Sequence, residues 1–145
     1  MAEMELIHDK LSLNELEDFE IEQGLNFPES YRDFLLKYNG GYVNPNVFYI
    51  SSEEGESAIN IFYGIGNMYN NLEKKLDLFD DLIDIGFIPI ASDSGGNQIC
   101  LGVNEKYFEQ VYFWNHEQET DELMESMHYL GENINKFLNS LYESE

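Results

Sequence analysis

The sequence predicts an α+β domain in which a mixed, mainly antiparallel sheet is flanked by helices. Three observations carry this expectation: two apolar stripes of helical period near the N-terminus, three strand-like runs crowded between residues 87 and 117, and one amphipathic helix after them. Strands that cluster, without strict βαβ alternation, separate this class from α/β. No internal repeat, low-complexity tract or linker interrupts the chain, so a single domain is expected over 1–145 with its core at about 13–142.

Each element has a local reason. Ser12 followed by Glu15 reads as a capping box; Leu13, Leu16 and Phe19 then recur at helical spacing until Gly24, so the first helix is expected over 13–23. Pro28 suits the first turn of a second helix, where its missing N–H is not needed, and Tyr31, Phe34, Leu35 and Tyr38 form its stripe. Asn39-Gly40-Gly41 ends it. Residues 47–50 and 59–65 read as strands joined by an acidic loop over 51–57. Leu72, Leu76, Phe79 and Ile83 return to a helical period, capped by Asn70 or Asn71 and closed before Gly86. Residues 87–91, 98–103 and 110–116 predict an antiparallel meander, and Ile134, Phe137, Leu138, Leu141 and Tyr142 mark a last helix starting near Gly131 that packs back onto the sheet.

Composition narrows the function classes. The chain is 43% apolar and 14% aromatic, enough for a real core without metals or disulfides, and too aromatic for an acidic disordered segment. The lone Cys100 has no internal disulfide partner, and its neighbours Ile99 and Leu101 make it a space-filler in a strand and suit a reducing compartment. The first ten residues carry Glu3, Glu5 and Asp9 in place of a secretory signal, and no apolar run nears the roughly 18 to 20 residues a membrane span needs. A soluble cytoplasmic protein is expected. Twenty-nine acidic side chains against seven basic ones give a net charge of −22, which repels nucleic acid and anionic membranes and suits a basic protein partner. An acidic surface also simply favours solubility.

Three segments, in order, resemble the SMI1/KNR4 family, also called the SUKH superfamily. They are "LNELEDFEIEQGLNFPESYRDFLLKYNGGY", with its Pro before a Tyr-x-x-Phe-Leu helix and its Asn-Gly-Gly; "FIPIASDSGGNQICLGV"; and "VYFWNHE", an aromatic strand running into Trp-x-His-Glu. A terminal "INKFLNSLY" helix completes the pattern. Gln23 stands where an aliphatic residue is more usual, and Phe27 where Leu commonly precedes the Pro. The resemblance implies an α+β domain deployed in bacteria mostly as an immunity protein against polymorphic toxins, many of them nucleases. A toxin that grips phosphate backbones is cationic, so an acidic inhibitor complements it and is steered towards it.

Candidate sites were weighed against structural roles. Asp93-Ser94-Gly95-Gly96-Asn97 starts like a calcium loop, but Asn104 stands where the bidentate Glu belongs and Glu105 comes one step late. Its better reading is a strand connection in which Asp93 and Asn97 bond local backbone, with a tip that faces a partner as the alternative. His116-Glu117 opens a zinc-protease motif that Thr120 breaks, and His8 and His128 lack ligand spacing. Gly64-Ile65-Gly66 lacks the later Gly of a phosphate loop, since Tyr69 occupies that place. Neither metal nor cofactor is expected. The candidate partner-binding residues are Glu53, Glu54, Glu56, Asp80, Asp81, Asp84, Asp93, Trp114 and Glu117. Trp114 is included because alternation puts it and Phe113 on opposite faces of a strand; packing in the core is its structural reading and a recognition cleft the alternative.

The leading expectation is a non-enzymatic antitoxin that occludes a cognate toxin with a basic surface, without direct contact to nucleic acid or membrane and with homodimerisation left open. The alternatives are a regulatory interaction hub of the SMI1/KNR4 type linked to cell-wall control, an acidic DNA mimic, and an enzyme using Cys100, His116 or Glu117.

Overall fold

The computed structural model describes residues 2–5 and 8–143; the leaderless reading of the first ten residues falls partly outside them. The chain runs through β1 (Glu3–Glu5), α1 (Leu13–Gln23), α2 (Glu29–Tyr38), β2 (Tyr42–Asn44), β3 (Val47–Ser51), β4 (Gly55–Phe62), α3 (Leu72–Leu78), α4 (Asp80–Asp84), β5 (Phe87–Asp93), β6 (Gln98–Gly102), β7 (Val111–Trp114), a 3-10 turn (Leu123–Ser126), β8 (Met127–Gly131) and α5 (Ile134–Asn139). The architecture is α+β: a six-stranded sheet in the order β3-β4-β5-β6-β7-β8, and a small β1-β2 ladder. Every strand pairing in the two sheets is antiparallel.

Local chemistry sets the first elements. The Ser12 hydroxyl accepts from the Glu15 N–H at 3.2 Å while the Glu15 carboxylate accepts from the Ser12 N–H at 3.1 Å, and Gly24 closes α1 at φ 67°. Pro28 sits one position earlier than expected, at the N-cap of α2, its φ of −57° already suited to a helix start. Asn39 ends α2 in the left-handed region, and its side chain ties the exit down by bonding the Asp9 carbonyl and both the carbonyl and N–H of Ile65.

The expected third helix over 72–83 is two helices. Phe79 leaves helical geometry at φ −115°, ψ 41°, and its ring turns edge-on to Trp114 with centroids 5.5 Å apart. Asp80 and Asp81 then open α4, where carboxylates interact favourably with the positive end of the helix. The expected loop over 51–57 is shorter, because β4 begins at Gly55 and runs back over Glu56 and Ser57. The last helix ends at Asn139, and Tyr142 instead bridges to Val47, its N–H and carbonyl satisfying the edge of β3 at 3.0 and 3.1 Å.

Side chains alternate across the sheet and build two clusters. Phe48, Ile61, Ile88, Ile90, Ile99, Leu101, Val111 and Phe113 join Leu16, Phe19, Phe34, Leu35, Leu72, Leu76, Ile134 and Phe137 in the larger core. Each such fully buried side chain stabilises by about 1.5–3 kcal/mol relative to exposure. Phe87, Cys100 and Met127, with Tyr112 and Trp114, meet Leu82, Phe79 and Leu123 on the other face. Register shifts at Tyr49/Ser51, Ile59/Ile61, Pro89/Ala91 and Val111/Tyr112 bend the strands, and the outer strands β3 and β8 approach one another. Pro89, which has no N–H to give the ladder, falls at one of those shifts.

Candidate partner-binding face

Antiparallel pairing sends three connections to the same end of the six-stranded sheet: residues 52–54 between β3 and β4, 94–97 between β5 and β6, and 115–126 between β7 and β8. Polar side chains stitch them together. Asp93, only 4% exposed, accepts from the N–H groups of Gly95 and Asn97 at 2.9 and 2.7 Å with Oδ1, and from Asn97 Nδ2 and the Ser57 hydroxyl at 3.0 and 2.8 Å with Oδ2. Asn97, its amide oriented by that contact, turns Oδ1 to the His116 N–H at 3.1 Å and to the His116 ring, so His116 Nδ1 carries a proton. Asn115 donates from Nδ2 to Glu54 at 2.7 Å and accepts the Glu117 N–H at 3.1 Å. His128 Nε2 lies 3.1 Å from Gln118 and 3.6 Å from Glu54, behind the same connection.

The face so assembled carries one sign of charge. Glu53, Glu54, Glu117, Glu119, Asp121, Glu122 and Glu125 lie in the three connections; all seven basic residues, Lys10, Arg32, Lys37, Lys74, Lys75, Lys106 and Lys136, lie elsewhere in the chain. Most of these carboxylates are exposed. Beside them is a cleft of about 480 Å³ floored by Trp114 and Leu123 and bordered by Asp81, His116, Glu119 and Ser126. Trp114 is half-buried; the Phe79 ring meets it edge-on with centroids 5.5 Å apart, and the His116 ring lies 6.2 Å from its centroid.

The structure gathers some of the residues singled out in the sequence and separates others. Glu53, Glu54, Glu117, Trp114 and Asp81 share this end. Glu56 sits one step along β4 and accepts the Tyr142 hydroxyl, a contact that pushes the phenol up to about 12. Asp80 is exposed at the start of α4, whereas Asp84 is at its far end, next to Gly86 and the opposite end of the sheet. Asp93 is buried and holds its turn. Cys100 pairs with Tyr112 inside the ladder, whereas His116 lies beyond the end of β7 and bonds Asn97. Burial pushes its thiol well above the ordinary range. Among the described residues no three His, Cys, Asp or Glu side chains converge in a metal-binding group. No helix of the described residues is long and apolar enough to cross a membrane.

Residues 10–140, which hold all three connections and the cleft, match the SMI1 / KNR4 family (SUKH-1). The chain belongs to this family. Among its relatives is a SPbeta prophage-derived uncharacterized protein, YokK, of Bacillus subtilis (strain 168), 31% identical over 128 residues that cover 76% of this chain. The chain spans 65% of that relative's length. In this SMI1/KNR4 member Asn115 and the cleft residues Glu119 and Leu123 carry no signal in the sequence; Asn97 reads there as bonding local backbone, and its side chain instead joins Asp93 to the His116 N–H. The Trp114-x-His116 alternation was the signal available for the cleft, since residues two apart lie on one face of a strand.

Proposed function

We propose that this chain is an immunity protein that binds a cognate secreted toxin of nuclease type through the acidic face and covers the toxin's cationic active surface. The observation that carries the reading is the face itself: three connections without a Lys or Arg, cross-linked by Asp93, Asn97 and Asn115 into one unit. A surface ordered before binding loses little conformational entropy on association, and a field of one sign speeds encounter with a partner of the other. Membership of the SMI1/KNR4 family, in a superfamily known for immunity proteins, supports the same reading.

Inhibition by occlusion needs no bond-making step. The buried, protonated thiol of Cys100, its separation from His116, and the engagement of His116 Nδ1 with Asn97 favour a binding role over a catalytic one. Most carboxylates on the face act through long-range attraction, with a few desolvated anchors setting the lifetime of the complex. Coexpression with the toxin encoded beside this chain tests the reading: survival of the host and a complex that co-elutes on gel filtration are expected. Unchanged killing together with separate elution contradicts it.

A further inference from the structure

The cleft against Trp114 differs from the rest of the acidic face because it combines carboxylates with a half-buried indole and the side chain of Leu123. Phe79 packs edge-on against the indole and fixes it from the α4 side, while Leu123 closes the bottom. Asp81 on α4 and Glu119 in the 115–126 connection stand exposed on its border. Among the described residues neither has a Lys, Arg or His nitrogen within 4.0 Å; the ion pairs present join Arg32 to Glu20, His128 to Glu54 and Lys136 to Glu132. The Ser126 and Thr120 hydroxyls already donate to the Leu123 and Glu122 carbonyls at 2.6 and 2.8 Å, so beside the His116 ring and the Gln118 amide the wall offers a cation two carboxylates and a π surface.

We infer that this cleft receives an arginine side chain of the partner protein, its guanidinium lying against the Trp114 indole between Asp81 and Glu119 and its methylene stem over Leu123. The inference rests on the reading of the acidic face as a partner-binding surface and names the group that anchors there. An anion is repelled by the flanking carboxylates, and a neutral apolar side chain leaves them uncompensated. Guanidinium fits better than ammonium for two reasons: it is planar and weakly hydrated, so it stacks on an indole, and its fork of N–H donors can serve carboxylates on two sides at once.

Trp114 is the chain's one tryptophan, so its fluorescence reports on this cleft alone. The probes are blocked tripeptides, acetyl-Gly-X-Gly-amide, with X as arginine, lysine or norleucine, titrated into the full chain. The arginine peptide is expected to change Trp114 emission saturably, with lysine weaker and norleucine without effect. The double variant Asp81→Asn/Glu119→Gln, both positions being exposed, is expected to weaken the arginine response about tenfold, a size usual for a charge-paired anchor. Asp33→Asn, on the exposed side of α2, is expected to leave it unchanged. An absent arginine response, an equal response to norleucine or lysine, or an unaltered response in the double variant overturns the inference. Protection against the toxin without any arginine response removes the anchor and leaves the immunity reading standing; an arginine response without protection does the reverse.

Discussion

The two ends of the six-stranded sheet are built on different principles. At one end the connections 63–86 and 103–110 combine close main-chain packing with separate side-chain ties, Asn39 to Ile65 and Asn104 to the Tyr107 N–H. Gly102 donates to the Gln110 carbonyl at 2.8 Å, and a Cβ there would run into the Tyr107 carbonyl. This end also carries Lys74, Lys75 and Lys106, two of them over aromatic rings: Lys75 lies 5.2 Å from the Tyr63 ring centre and Lys106 5.2 Å from that of Tyr107. At the other end the connections are held by side-chain hydrogen bonds and carry acids without bases. Close main-chain approach at Gly102 marks the first end. The second end spends polar side chains on order and leaves its carboxylates facing outward, as a surface for association requires.

Substitutions can break this contrast. Gly102→Ala is expected to cost about 3 kcal/mol or more, because the new methyl meets main chain that cannot yield, while Gly95→Ala at the opposite end, where a Cβ finds only ordinary contacts, stays within about 0.5 kcal/mol. Urea unfolding of both checks it; similar losses would erase the distinction. Asp93→Ala removes an acceptor of four hydrogen bonds and is expected to cost about 2 kcal/mol, with faster amide exchange at Gly95 and Asn97 as its local mark.

Charge removal sharpens the comparison in the other direction. The triple variant Glu53→Gln/Glu117→Gln/Glu119→Gln is expected to keep its unfolding midpoint, since these side chains are exposed, yet to associate with the toxin about tenfold more slowly in stopped-flow measurements. The smallest effect lies outside both ends, at α1. The Ser12 N–H and hydroxyl hold the Glu15 carboxyl below its ordinary value. The lowered folded value means that this contribution is present above the ordinary carboxylate pKa and is lost as pH falls through the lowered one. The small stability gap between wild type and Glu15→Gln is thus expected at neutral pH and closes in acid, as urea midpoints against pH would record.

What could be read from the sequence was local. The capping box and Gly24 delimit α1 as expected because all the information lies within a dozen residues, and the meander β5-β6-β7 is legible because its apolar runs are separated by strong turn formers. The α+β class and the family followed from those pieces. The strands β1, β2 and β8 escaped because three-residue ladders and the sequence Met127-His128-Tyr129-Leu130 carry little alternation; partners supplied by other parts of the chain make them strands. The break at Phe79 escaped because apolar periodicity runs straight through it, and only the docking of its ring on Trp114 turns the chain. The acidic residues were legible in identity and number alone. Their division into Asp93 as a buried clasp, Glu54 as a stitch, Glu53 and Glu117 as free charge and Asp84 as a remote one depends on contacts far apart along the chain, such as that of Glu54 with Asn115, 61 residues away.

The central claim is that attraction between this acidic end and a basic protein surface drives complex formation. The rate at which the purified chain associates with the toxin encoded beside it, followed as salt is raised, tests this most directly. A fall of about tenfold or more between low and high salt is expected, with a shallower fall for the triple Gln variant. A rate that ignores salt in both proteins would contradict it.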